Sequence, residues 1–221
     1  MQPAVTRLRA ICYVDGFNLY YGLREAALRH CYWLNIRDVA VHLVRAPLVL
    51  EHTKYFTARV SGKHRGDSLE KAAEREAGRV RQTTFLEALG TVNSLEIIEG
   101  RYQLTREYCR ACKAEFRRPE EKMTDVRIAT EMLTDAFLNR FDVAVLLSGD
   151  SDLVPPIAAI LDHFPQKRVI VAFPPCRESS ALKQIASSFV KVWPRTLEKC
   201  QLPRTVVKAN GVELCRPAEW Q

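Results

Sequence analysis

The feature that most constrains the fold is an apolar run within residues 142–152 that stops abruptly at Ser-Gly-Asp-Ser-Asp, residues 148–152. A continuous apolar run is typical of a strand that is buried on both faces of a parallel sheet. Residues 153–161 predict a helix with two prolines in its first turn, where a missing backbone N–H costs little. Asp150 and Asp152 are therefore expected at the carboxyl edge of the sheet, where open α/β folds place their ligands.

Two clustered carboxylates repel each other unless they share a cation or a proton. Asp150 and Asp152 thus indicate a divalent-metal site at this edge. The alternative interpretation is an ordinary turn in which one of the two carboxylates caps the following helix. Residues 142–152 alone do not decide between the two interpretations.

A second strand with the same layout lies near the start of the chain. Residues 9–14 form a short apolar run with β-branched and aromatic members, and Asp15-Gly-Phe-Asn18 follows it directly. Apolar residues at helical spacing then begin at Leu19. Asp15 or Asn18 serving only as a helix cap is again the alternative. Because two strands share the layout, we favour a common polar site where both strands end.

The clearest helix is predicted at residues 123–138. It has one apolar stripe at spacings of three and four, formed by Ile128, Ala129, Met132, Leu133, Ala136 and Phe137. Asp125 falls on that stripe in the first turn, and a carboxylate in a core-facing position needs a partner. A cation shared with Asp15 and Asp150 would supply one. Glu131 and Asp135 lie off the stripe, and we expect both to be solvated.

The remaining pattern predicts an α/β domain with a mainly parallel central sheet. Further strands are expected at 54–60, 94–99, 167–173 and 189–193, and further helices at 35–45, 69–89 and 179–186. One domain would span residues 1–195, with a basic, cysteine-containing insertion at about 100–122. Residues 196–221 show no clear period and are expected to form a C-terminal tail.

The charge of the chain favours a polyanionic partner, since the net charge is +7 and the pI is near 9.1. Basic residues concentrate in a glycine-bearing loop at 61–68 and in the insertion, where aromatic residues are interleaved. Such a mixture suits single-stranded nucleic acid, whose bases stack and whose phosphates pair with cations. The residues expected to bind nucleic acid are Lys63, Arg65, Arg110, Lys113, Arg117 and Arg118.

The insertion also contains Cys109 and Cys112, whose spacing is that of half a structural zinc site. The usual second pair of ligands is missing, so a pair without zinc is favoured. The first ten residues are polar and lead straight into a strand, and no apolar run approaches the roughly 20 residues of a membrane span. We therefore expect a cytoplasmic protein without a signal peptide.

Three motifs together resemble the NYN domain family, in the LabA-like branch of the PIN-like nuclease fold. They are the strand end around Asp-Gly-Phe-Asn at 15–18, the Glu-Lys-Met-Thr-Asp-Val element at 121–126, and Ser-Gly-Asp-Ser-Asp at 148–152. The resemblance covers roughly residues 9–193. It implies a three-layer α/β fold with an acidic cluster at its carboxyl edge that binds Mg²⁺ or Mn²⁺ for phosphodiester hydrolysis, mostly of RNA.

Matched residue by residue, the resemblance implies a specific set of site residues. The implied metal ligands and catalytic residues are Asp15, Asp125, Asp150 and Asp152, with Asn18 beside them and Ser148, Ser151 and Lys122 in support. The sequence departs from the family at Ser187, where members often carry an acidic residue.

The function expected from the sequence is therefore a metal-dependent ribonuclease acting on single-stranded RNA, either alone or as a homo-oligomer. The main alternative is a nucleic-acid-binding module of the same fold that cleaves weakly or not at all. A phosphatase of the haloacid dehalogenase type is disfavoured, because Phe17 stands where that chemistry needs a second aspartate.

Overall fold

The computed structural model describes residues 7–60, 62, 68–108, 111–112 and 115–221, with the backbone alone for 101–107 and 115–122. Ten strands are present in the described residues: β1 (Leu8–Asp15), β2 (Leu48–Thr57), β3 (Leu95–Glu99), β4 (Arg101–Tyr108), β5 (Glu115–Lys122), β6 (Val143–Leu147), β7 (Arg168–Phe173), β8 (Ser188–Lys191), β9 (Thr205–Val207) and β10 (Glu213–Cys215). The α-helices there are α1 (Gly16–Glu25), α2 (Ile36–Leu43), α3 (Leu69–Leu89), α4 (Thr124–Phe137), α5 (Val154–His163), α6 (Ser180–Ile185) and α7 (Pro194–Lys199).

Six strands form the central sheet in the order β3-β2-β1-β6-β7-β8. Every pairing in this sheet is parallel, from β2 with β3 to β7 with β8. The strand order reverses between β1 and β6, and in such sheets ligands bind at the carboxyl ends of the strands on either side of the reversal. The polar ends of β1 and β6 are the two motifs from which the sequence predicted a common site.

The sheet is covered on both faces, which gives three layers. Successive side chains of a strand point to opposite faces, and β1 shows this clearly. Cys12 and Val14 pack with α1, α2, α3 and α7, whereas Ile11 and Tyr13 pack with α4, α5 and α6. The observed architecture confirms the predicted α/β fold, with a six-stranded parallel sheet flanked by helices as in a PIN-like domain.

Most predicted elements of this sheet and its helices agree with the observed ones within a few residues. Helix α3 has the predicted bounds, and α5 begins with its two prolines in the first turn. Strand β2 begins earlier than predicted, at Leu48, and its first half is only partly buried. The insertion at 100–122 contains an antiparallel hairpin of β4 and β5 that pairs Arg101 with Lys122.

The expectation that Asp135 is solvated is wrong. Asp135 is fully buried, and its carboxylate accepts hydrogen bonds from the Tyr13 hydroxyl, the Lys54 ammonium and the Arg140 guanidinium. Lys54 also pairs with the half-buried Glu131 at 2.6 Å. The buried face of helix α4 is therefore turned toward β2 and does not coincide with the apolar stripe in the sequence. This is possible because the Lys54 ammonium on β2 pairs with both the Asp135 and the Glu131 carboxylates.

This rotation also exposes part of the predicted stripe on α4. Phe137 is 78% exposed and Leu133 is 36% exposed, although both belong to the apolar pattern in the sequence.

Residues 196–221, expected as a tail, pack on the domain. Their short elements include the β9–β10 hairpin and a 3₁₀ turn at Ala218–Trp220. Leu197, Leu214 and Trp220 join the same apolar cluster as Trp33. The Trp33 indole N–H donates to the Pro203 carbonyl at 2.8 Å, which ties the segment to the core. Among the described residues, every helix is too short or too polar to cross a lipid bilayer.

Candidate metal centre

Asp15 is the buried carboxylate at the carboxyl end of β1, and it is only 3% exposed. It caps α1, since its Oδ1 accepts the Asn18 backbone N–H at 2.9 Å. Its Oδ2 accepts the Ser148 hydroxyl at 2.8 Å. The capping role and the site role are thus compatible, because the cap uses one carboxylate oxygen and leaves lone pairs on both.

Ser148 and Asn18 join the two strand-end loops. The Ser148 hydroxyl, fully buried at the end of β6, donates to Asp15 and accepts the Asp150 backbone N–H at 3.1 Å. In the opposite direction, the Asn18 side-chain oxygen accepts the Gly149 N–H at 2.8 Å. A Cβ atom at Gly149 would lie 2.9 Å from the Arg177 carbonyl carbon, so only glycine lets this loop pack so closely against the Arg177 backbone.

Three carboxylates converge at this point. Asp15, Asp125 and Asp150 each offer a carboxylate oxygen, and the three oxygens lie within 4.8 Å of one another. They come from β1, from the first turn of α4 and from the loop after β6. Asp15 is buried and the other two are partly exposed, so the cluster opens to solvent.

The pKa of Asp15 is raised to about 7, mainly by burial and to a smaller extent by the neighbouring Asp125 and Asp150. The hydrogen bonds from Asn18 and Ser148 act in the opposite direction but are weaker. Both of those donors are neutral, so they offset only part of the cost of a buried negative charge. A cation at this position would stabilise the ionised form.

A cavity of about 680 Å³ lies beside the cluster and was not predicted from the sequence. It begins at Gly16, the residue after Asp15, and it is bounded by α1, α3 and the C-terminal 3₁₀ turn. Its aromatic lining consists of Phe17, Tyr20, Tyr21, Tyr32, Tyr55, Phe85 and Trp220. The signal in the sequence was the pair of tyrosines one residue beyond the Asp-Gly-Phe-Asn motif, but the partner rings come from distant segments.

A family model for the NYN domain matches residues 9–198, which is most of the chain. The chain belongs to the NYN domain family. Members of this family have a nuclease-like fold and act on nucleic acid, and the family's nucleases use divalent metals. The acidic cluster at the switch point of the sheet is the group in this NYN domain that could bind such a metal.

Two further proteins resemble this NYN domain. The first is the 6-hydroxy-3-succinoylpyridine 3-monooxygenase HspA of Pseudomonas putida, which is 26% identical across 96% of this chain and 75% of that protein. The second is the crystal structure of a protein of unknown function from Vibrio parahaemolyticus, with a TM-score of 0.51 and 20% identity. It covers 87% of this chain and 97% of its own, and it shows a shared fold.

Other residues expected at the site lie around the NYN cluster. Asp152 and Ser151 are exposed in the 3₁₀ turn Ser151–Leu153, and Asp152 donates its backbone N–H to the Asp150 carboxylate at 3.0 Å. Asp152 is not among the three carboxylates that converge. Lys122 ends β5 immediately before α4, and only its backbone is described.

Ser187 does not interrupt the acidic cluster. Its N–H donates to the Val169 carbonyl and its hydroxyl accepts the Val169 N–H, at the amino end of β7. Asp15 and Ser148 lie at the carboxyl ends of their strands. The residue that departs from the family pattern is thus at the opposite edge of the sheet.

The expected nucleic-acid-binding residues are described only in part. Lys63, Arg65, Arg110 and Lys113 lie outside the described residues, as does Cys109. Arg117 and Arg118 lie on β5 of the hairpin, which follows β3 and leads into α4. Cys112 is exposed with a free thiol. The nucleic-acid interface and the zinc half-site stay predictions.

Proposed function

We propose that this protein is a ribonuclease that hydrolyses phosphodiester bonds of single-stranded RNA with Mg²⁺ or Mn²⁺. The observation that carries the proposal is the convergence of the Asp15, Asp125 and Asp150 carboxylates within 4.8 Å at the switch point of the sheet. Membership of the NYN family supports the nuclease class.

The residues fit a divalent cation. Carboxylate oxygens are the ligands that Mg²⁺ and Mn²⁺ prefer, usually together with water and substrate phosphate. The raised pKa of Asp15 supports the same conclusion, because a buried carboxylate with neutral donors is stabilised by a nearby positive charge. The partly exposed Asp125 and Asp150 leave an open side for the substrate.

Asp15, Asp125 and Asp150 would hold the metal. When bound there, the ion would activate water for in-line attack and neutralise charge on the phosphate. Ser148 and the Asn18 backbone keep the Asp15 carboxylate in one orientation, as outer partners of metal ligands commonly do. The Asn18 side chain is held by Gly149 through its oxygen, so its amide nitrogen would donate to a phosphate oxygen.

The residues around the cluster would position the strand and the nucleophile. Asp152 and Ser151 would act at its exposed side, and Lys122, at the end of β5, would offset its negative charge. The basic residues Lys63, Arg65, Arg110, Lys113, Arg117 and Arg118 would bind the RNA backbone. We expect the protein to act in the cytoplasm.

The test is a Mg²⁺ and Mn²⁺ titration against a labelled single-stranded RNA, comparing the protein with Asp150→Asn and Asp162→Asn. Asp162 is an exposed aspartate near the end of α5, and α5 begins beside the cluster, so its replacement controls for loss of one surface charge. We expect metal-dependent cleavage that Asp150→Asn abolishes and Asp162→Asn retains.

Two results would contradict the ribonuclease. One is metal-dependent cleavage that Asp150→Asn leaves intact. The other is no cleavage with any metal, together with equal, salt-sensitive RNA binding by all three proteins, which would indicate the binding module instead.

A second candidate is monooxygenation of a substituted pyridine, which is what the name of the Pseudomonas putida relative describes. The aromatic cavity beside Asp15, with Arg24 and Arg29 in its lining, is the observation that favours it. A monooxygenase reaction takes one atom of O₂ into the substrate and reduces the other to water with a two-electron donor. Oxygen uptake with 6-hydroxy-3-succinoylpyridine and a reduced nicotinamide would support this candidate, and its absence would contradict it.

A further inference from the structure

The aromatic cavity has a continuous wall of rings that runs from the interior to the surface. The deepest pair is Tyr55 and Phe85, with ring centroids 6.3 Å apart, and Phe85 lies 6.1 Å from Trp220. Trp220 contacts Tyr32 at 5.7 Å, and Tyr32 contacts Tyr20 at 5.1 Å. Tyr20 is 41% exposed, so the wall ends in an aromatic face that is open to solvent.

Gly16 connects the cavity to the acidic cluster along the chain. This residue follows the metal ligand Asp15 and lines the cavity. A side chain at Gly16 would lie 2.7 Å from the Tyr55 ring and 2.6 Å from the Phe56 carbonyl oxygen, so the Tyr55 ring packs directly on the backbone beside Asp15. The lining of the cavity thus includes the residue that follows a proposed metal ligand.

Helix α3 leaves the cavity open at one point in particular. The helix lines it with residues at spacings of three, four and eight, namely Glu74, Gly78, Arg81, Gln82 and Phe85. A glycine within a helix costs up to about 1 kcal/mol relative to alanine. A side chain at Gly78 would meet only the Arg81 guanidinium, at 3.9 Å. Among the described residues nothing else crowds this position, so a longer side chain there would extend into the cavity.

The chemistry of the lining suits a nucleotide. Arg24 and Arg29 are exposed residues of the lining and present positive charge near the aromatic faces. Bases of single-stranded nucleic acid stack on aromatic side chains, and their phosphates pair with arginine. A cavity of about 680 Å³ lies within the range of ordinary small-ligand sites.

We propose that this cavity is a nucleobase subsite, which receives one unstacked nucleotide of the strand whose neighbouring phosphate lies on the acidic cluster. The inference rests on the proposed nuclease function. Bases within a duplex are stacked and paired, so a single-stranded substrate fills the subsite at lower cost. The cavity would thus give the enzyme its preference for single strands.

Nucleotide binding tests the subsite without any cleavage. Trp220 lies in the cavity wall, so its fluorescence reports a base stacked there. We expect adenosine and cytidine 5′-monophosphates to quench the tryptophan fluorescence of the protein saturably in EDTA. The Trp220→Phe variant should lose most of this quenching. Gly78→Leu, which fills the cavity, should weaken binding about 10-fold or more. Ala77→Leu, on the neighbouring face of α3 and outside the cavity, should leave it unchanged.

Cleavage tests the position of the subsite. The substrates are a series of single-stranded RNAs, each with one abasic nucleotide at a different position. We expect kcat/KM to fall about 10-fold or more at one position, which is fixed relative to the cleaved bond. Gly78→Leu should itself lower kcat/KM about 10-fold on the unmodified RNA and remove this dependence, and the cleavage that is left should still require the metal.

The two experiments separate the subsite from the nuclease. Saturable nucleotide quenching that depends on Gly78, without cleavage by any metal, would retain the subsite and reject the ribonuclease. Metal-dependent cleavage that is indifferent to abasic substitution and to Gly78→Leu would retain the ribonuclease and overturn the subsite. Quenching by 6-hydroxy-3-succinoylpyridine but by neither nucleotide would also overturn it.

Discussion

Two buried carboxylates, Asp15 and Asp135, lie near the same strand and have opposite electrostatic environments. Asp15 ends β1 and accepts hydrogen bonds from neutral donors, and its pKa is raised to about 7. Asp135 on α4 is bonded to Lys54, Tyr13 and Arg140. Burial by itself would raise the pKa of Asp135, but these hydrogen bonds outweigh it and the pKa lies below its ordinary value.

The difference distinguishes a carboxylate that has a cationic partner within the protein from one that we propose binds a metal. The protein supplies Asp135 with its own cation, and the two form a buried ion pair that joins α4 to β2. At Asp15 two further carboxylates approach instead. Arrangements that raise a carboxyl pKa in this way cost folding energy and are concentrated at functional sites. Burial alone therefore does not identify the site, whereas the charge of the neighbours does.

The largest expected effect is the loss of stability in Asp135→Asn. The change leaves the Lys54 ammonium buried with only the half-buried Glu131 as a charged partner. Breaking a buried pair from one side typically costs about 3–5 kcal/mol in the free energy of unfolding. Urea denaturation of the metal-free protein measures it. An unfolding free energy within 1 kcal/mol of the unchanged protein would contradict the structural role of this pair.

The second prediction is that Asp15→Asn has the opposite effect on stability. Asparagine still caps α1 and carries no charge, so the metal-free protein at pH 8 should keep or gain stability. The rate of RNA cleavage should fall by more than about 100-fold. Mutation of a residue that only hydrogen-bonds a metal ligand commonly lowers activity 10- to 100-fold, and loss of the ligand itself should lower it more. Thermal unfolding in EDTA and single-turnover cleavage check the two parts. Marked destabilisation would contradict the prediction, because it would show that the Asp15 carboxylate stabilises the fold.

The third prediction concerns Ser148→Ala, which removes the hydroxyl that links Asp15 to the Asp150 backbone. We expect Mn²⁺ affinity to fall about 10- to 100-fold, because the ligand loses its fixed orientation. The Mn²⁺ dependence of thermal unfolding measures this without cleavage. Thr130→Val is the control, since Thr130 is exposed on α4 and bonds only within its own helix. Equal Mn²⁺ affinities in the two variants would contradict the prediction.

The last prediction concerns the dependence of stability on pH, where the two carboxylates give opposite slopes. The pKa of Asp15 is raised above its unfolded value of about 3.9, so its ionisation should lower the stability of the metal-free protein as the pH rises toward about 7. The pKa of Asp135 is lowered, so its stabilisation is present above about pH 4 and is lost below it. Asp15→Asn should abolish the first slope and Asp135→Asn the second. Unfolding free energies measured from pH 3 to pH 8 test both.

The parts of the site that follow directly from strands could be predicted from the sequence. Apolar runs located β1 and β6, and the polar residues that end them must meet wherever two parallel strands are neighbours. Asp125 could be predicted from its place in the first turn of α4. This local information was enough to indicate the three-carboxylate cluster.

The rotation of α4 could not be predicted in the same way. Its apolar stripe includes Phe137, which is exposed, and excludes Asp135, which is buried. A one-dimensional pattern reports the average polarity of a helix face, but it does not contain the partner that makes a charge acceptable in the core. That partner, Lys54, lies 81 residues away in the sequence.

The sequence by itself determined the parallel α/β sheet and the acidic cluster of this NYN domain, because both depend on the period and the ends of single strands and helices. The tertiary structure decided which carboxylate is paired and how the aromatic cavity is built. Rings from α1, from α3 and from Trp220 at the end of the chain meet in that cavity. Their meeting depends on packing between distant segments, which no local period encodes.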